Sequence, residues 1–194
     1  MRWTRILLPI LVFILALGTA QAQGPTPSGA SAGGVGCASV KTDSATGAIR
    51  QLTDCGTVDT RRDPETVARG ILGGLAPQLG LQRDGRDLAL NTVRQTDVAT
   101  HVRFQQMHKG VPVYLGEVLV QYTTQGKAQW VLNQTIPNLD LDVTPRIEES
   151  QARAIATAAA PDAARLRAPA TAALVAYAAD IAPQLAWRIL LPTA

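Results

Sequence analysis

The sequence predicts an α+β fold in which a helix lies across an antiparallel meander of short strands. Three observations carry that expectation. Val102, Phe104 and Gln106, and again Val118, Val120 and Tyr122, recur at every second position and so share one face of a strand. Short turn sequences, His108-Lys109-Gly110 and Thr124-Gln125-Gly126-Lys127, join consecutive strands, and links this short suit antiparallel pairing. Upstream, Val67, Ile71, Leu72 and Leu75 fall on one face of a helix. Apolar residues make up 46% of the chain, adequate for a core, but many are alanine. Aromatic content is only 4%, so each large ring is a candidate anchor.

Met1 to Ala22 has the form of a secretory signal peptide. Arg2 and Arg5 make a basic start, and Ile6 to Leu17 is an apolar run interrupted only by Pro9. That run is short of the roughly twenty residues needed to span a bilayer. Ala20-Gln21-Ala22 fits the small-x-small cleavage pattern, so cleavage is expected between Ala22 and Gln23. Removing residues 1–22 takes away two positive charges of a formal +3. The near-neutral remainder gives no electrostatic reason to expect nucleic acid or an anionic membrane as partner. No second apolar run approaches spanning length, so no stable membrane insertion is expected. The protein is expected to be secreted or extracytoplasmic.

Residues 23–62 read as a flexible linker followed by a cysteine-clipped extension. Gln23 to Gly36 is rich in Gly, Ser, Pro and Ala. Cys37 and Cys55 are the only cysteines, and in an oxidising compartment such a pair is most simply a disulfide. Ser44-Ala45-Thr46-Gly47 supplies a turn that would let their flanks run antiparallel. A metal site would need further ligands at close spacing, and the two histidines lie far away.

Asp63-Pro64-Glu65 is a helix start: an N-cap, a proline at the first position and an acid in the first turn. The helix is expected over Asp63–Ala76, ended by Pro77 and Gly80. Leu88 to Val93 is a strand. The pair 101–108 and 111–115 follows, then Glu117 to Tyr122 and Ala128 to Asn133. Pro112 cannot donate to a ladder and belongs at a strand start or edge. Ile136 to Val143 is a connector. A second helix opens at Thr144-Pro145 or one turn later at Glu148, with Ala152, Ile155, Ala156 and Ala159 as its narrow apolar face. Leu174 to Tyr177 and Leu185 to Leu191 are strands around an Asp180–Pro183 turn. This last unit buries little by itself. Either the first sheet completes it, or the chain is a piece of something longer.

Catalytic and cofactor motifs are missing. There is no H-E-x-x-H, G-x-S-x-G, P-loop or dinucleotide fingerprint. His101 and His108 are seven apart with no Glu between them. Asp140/Asp142 and Glu148/Glu149 are paired carboxylates, but a connector and a helix start favour solvated acids over the buried, unequal pair that acid–base catalysis needs. Asn133-Gln134-Thr135 matches the glycosylation pattern.

Arg103-Phe104-Gln105-Gln106, then Gly110-Val111-Pro112-Val113-Tyr114 and Gly116, resemble the signature of the propeptide domain shared by thermolysin-like and fungalysin-like metalloproteases. The flanking helix and strands agree, so the resemblance covers about residues 63–136. Residues 137–194 resemble the first part of a PepSY domain, through Ile147 to Ala156, Leu174 to Tyr177 and Gln184 to Ile189. The resemblance implies two cystatin-like units, each a curved antiparallel sheet with a helix packed across it, the second incomplete. It also implies a non-catalytic propeptide region, without a cofactor, that chaperones and inhibits a zinc metalloprotease catalytic domain. A stand-alone secreted module acting on a protease in trans is the alternative.

Overall fold

The structure, a computed structural model, describes residues 36–160, 167–178 and 182–192. The expected signal peptide and its cleavage point at Ala22–Gln23, the start of the linker and part of the 180–183 turn lie outside the described residues. Those residues form an α+β fold with eight strands, mostly antiparallel, and two helices. In chain order they are β1 (Ser39–Thr42), β2 (Ile49–Thr53), α1 (Pro64–Leu79), β3 (Leu88–Gln95), β4 (Ala99–His108), β5 (Val111–Thr123), β6 (Ala128–Asn133), α2 (Glu149–Ala159), β7 (Thr171–Tyr177) and β8 (Gln184–Leu190).

The main sheet runs β1-β2-β6-β5-β4-β3, each neighbour antiparallel. Register places Val93, Val102, Val120, Val131 and Leu52 in one row across five strands. Because side chains alternate, that row shares one face with Phe104 and Val118. Helix α1 lies on this face and buries Val67, Ala68, Ile71, Leu72, Leu75, Ala76 and Leu79. Each large apolar side chain so buried contributes roughly 1.5–3 kcal/mol.

Helix α1 begins as its sequence dictates. The Asp63 carboxylate accepts from the Thr66 backbone N–H at 2.9 Å, and Pro64 takes the first position. It ends later than expected. Pro77 lies inside the last turn, and the helix runs on to Leu79. A proline in the third residue from the end breaks one backbone bond of a turn that has few left to break, so Gly80 makes the stop. Gly80 has φ +67°, and a Cβ there would stand 2.4 Å from Cβ of Pro137. The connector therefore crosses the helix end at a distance only glycine permits.

Residues 37–55 do not dangle from this sheet. Strand β2 pairs with β6, Leu52 is fully buried, and Cys37 is bonded to Cys55 at 2.05 Å. The runs 111–115 and 117–122, expected as two strands, are one 13-residue strand with a break in its pairing. Helix α2 starts at Glu149, the later of the two expected starts. Of its expected apolar face only Ala152 is buried, and Ile155 is 61% exposed. Strands β7 and β8 form a hairpin, and β7 joins β5 by one parallel bridge, Val113 to Ala176. The β7–β8 hairpin thus meets the first sheet at β5. No described helix is long and apolar enough to cross a membrane.

Candidate functional site

The motif residues gather where β4 and β5 fall out of step. Gln105 faces Glu117, yet Met107 faces Pro112, so β4 advances two positions while β5 advances five. Val113 to Gly116 bulge out of the ladder as a result. Leu115, at the crest, has φ +59°. The bulge is tied off by Gln105, whose Nε2 donates to the carbonyls of Val113 at 2.7 Å and Gly116 at 2.9 Å.

Gln106, only 4% exposed, does a second job. Its Nε2 donates to the Ile136 carbonyl and its Oε1 accepts from the Ile136 N–H, both at 2.8 Å. The amide thus satisfies both backbone groups of one connector residue, as a neighbouring strand would. A Cβ on Gly116 would stand 2.9 Å from Gln106 Oε1 and from the Val113 side chain. The glutamine pair and Gly116 are therefore one device: the bulge closes only if residue 116 has no side chain.

The remaining motif residues are equally architectural. Phe104 is fully buried, with the Arg69 guanidinium 4.9 Å above its ring. Arg69 also bonds Glu65 and the carbonyls of Gly85 and Leu88, so it knits α1 to the turn before β3. Sequence reading missed Arg69, although Glu65 and Arg69 stand at the i, i+4 spacing of a helical ion pair. Arg103 pairs with Glu117 at 2.6 Å on the open face. The Lys109–Gly110 turn has both residues at positive φ, a tight hairpin geometry. Val111 and Pro112 start β5, and Pro112 sits where a missing donor is tolerated. Tyr114 stacks on Tyr177 of β7, ring centres 5.6 Å apart.

The two histidines do not converge on a ligand. His101 lies between Arg94 and Gln121 in the ladder, and His108 bonds the Leu141 carbonyl at 3.0 Å beside Lys109. Among the described residues no group of three His, Cys, Asp or Glu could hold a metal ion. The Asp142 carboxyl is held below its ordinary value by hydrogen bonds from the Thr144 hydroxyl and backbone, and stays ionised. Glu149 pairs with Arg153 one turn on. Asn133 is 2% exposed: its amide donates to Ile49 and accepts from Thr135, so the glycosylation pattern is folded into the core.

A second feature lies beyond the hairpin. An open, largely apolar groove of about 700 Å³ runs between the connector, α2 and the β7–β8 hairpin, with Ile155, Leu174, Leu185, Trp187 and Ile189 on its walls. Trp187 donates to the Ile147 carbonyl at 3.0 Å, linking β8 to the connector.

These features describe a small α+β module in which the glutamine pair and Gly116 shape the chain. The Fungalysin/Thermolysin Propeptide Motif matches residues 91–134, from within β3 to just past β6. The hemagglutinin/proteinase of Vibrio cholerae serotype O1 is 42% identical over 71 residues, 35% of this chain and 12% of that protein. Thermolysins of Alicyclobacillus acidocaldarius and Bacillus caldolyticus are each 35% identical over 106 residues, 50% of this chain and 19% of theirs. The chain therefore spans less than a fifth of the length of these relatives. It contains a propeptide region similar to those of thermolysin-like proteases.

Proposed function

We propose that this chain is the non-catalytic propeptide region of a secreted zinc metalloprotease of the thermolysin kind. It chaperones the folding of the catalytic domain and inhibits it until the two are cut apart. The observation that supports this reading above others is the match of the propeptide motif over residues 91–134, within which Gln105, Gln106 and Gly116 shape the β4–β5 bulge. A rigid, pre-shaped surface is what a folding template and inhibitor requires, since binding then costs little ordering. Within this reading residues 63–136 are one cystatin-like unit, and residues 137–194 are the first part of a PepSY unit. Residues 1–22 are the signal peptide, and the partner is the catalytic domain, with no cofactor held by this chain.

The test uses the chain after signal removal and the separately produced catalytic domains of thermolysin and the Vibrio hemagglutinin/proteinase. Adding the chain should slow peptide hydrolysis by the folded enzymes and raise the activity recovered when they refold from denaturant. No effect on either quantity with either enzyme would sink the proposal.

A further inference from the structure

Four described residues other than glycine have positive φ: Asp54, Lys109, Leu115 and Asn138. Asp and Asn tolerate that region, and Lys109 belongs to a two-residue hairpin turn. Leu115 is the exception. A bulky aliphatic residue gains nothing from the left-handed conformation, and strain of this kind persists only where the surroundings enforce it. Gln105 enforces it here, through its bonds to the carbonyls on both sides of Leu115. The strain yields little packing in return, because Leu115 is 61% exposed. It is flanked by Tyr114, already committed to Tyr177, and by Gly116, which has no side chain. A fixed, strained backbone thus holds one apolar side chain out into water.

We propose that Leu115 is the anchor by which this region docks into an apolar pocket on the surface of the protease catalytic domain. The inference rests on the propeptide reading above and names the contact within it. An anchor already fixed in place loses little freedom on binding, and a small number of such residues carries most of an interface's energy. The fold itself would be better served by asparagine at this position, which accepts positive φ and prefers water. Fold and docking therefore pull in opposite directions at residue 115.

That opposition is the test. Leu115→Asn and Leu115→Gly are made in the full chain, with thermal unfolding and inhibition of the thermolysin catalytic domain measured for each. Both variants should melt at or above the parent temperature and inhibit at least about tenfold more weakly, the loss of one hot-spot contact. Leu115→Met should keep most of the inhibition. If the variants fold and inhibit as the parent does, the anchor is overturned while the propeptide reading stands. If they lose stability and inhibition together, Leu115 serves the fold and the anchor is also overturned. A parent chain that binds no catalytic domain overturns the propeptide reading and the anchor with it.

Discussion

Helix α1 buries seven residues against its sheet, and helix α2 buries one. Both are short helices laid beside antiparallel strands, so geometry does not separate them. Side-chain volume does. The α1 face is Val, Ile and three Leu, set over a row of valines and Phe104. The α2 face is mostly alanine, and one buried methyl contributes only about 0.8 kcal/mol. Its one large residue, Ile155, is 61% exposed above the open groove. The 39–133 region stands on its own core, while the β7–β8 hairpin leans on β5 through a single bridge and the Tyr114–Tyr177 stack.

The largest expected effect comes from removing the shared support. Phe104→Ala should cost about 3–5 kcal/mol in denaturant unfolding and unfold both regions in one transition. Separate transitions, with the hairpin surviving, would break the asymmetry. Replacing Cys37 and Cys55 together by serine should cost about 3 kcal/mol, the entropy of the loop they close. The loss should fall on the 39–133 region, because β2 supplies Leu52 to its core. Gln106→Leu strips partners from both backbone groups of Ile136 and should cost about 2 kcal/mol. Hydrogen exchange should then quicken at Ile136. Ile155→Ser should change the unfolding free energy by no more than about 0.5 kcal/mol, the range of surface changes. A larger loss would show that α2 is packed more firmly than its exposure indicates.

Much of the first region was legible in the sequence because each signal had its own mechanism. Asp63-Pro64 fixed the helix start, and alternation fixed which face of β4 and β5 is buried. The end of α1 lies beyond Pro77, against the sequence expectation, because a proline this near the end has few helical bonds left to break. The continuity of β5 was hidden because the run 113–116 interrupts the alternation, and only a distant glutamine holds it closed. The connector's attachment was equally out of reach, since Gln106 and Ile136 are thirty positions apart. In the second region, periodicity placed α2 but not its burial, because alanines mark a face without filling space. For the candidate site, the motif residues were legible as a resemblance, and alternation put Gln106 on the inward face with Val102 and Phe104; that its amide binds the Ile136 backbone was not legible.

The burial of Asn133 has a consequence for manufacture. A glycan enzyme needs the amide of an Asn-x-Thr sequence free and the chain still open, whereas the native sheet spends that amide on Ile49 and Thr135. Sugar and sheet are mutually exclusive outcomes at one nitrogen. In a host that decorates nascent chains, the two compete in time, and every chain that loses the race carries a bulky polar group where the fold allows none. The glycosylated fraction of the product would then be a clock, reporting how soon after synthesis β6 is sealed.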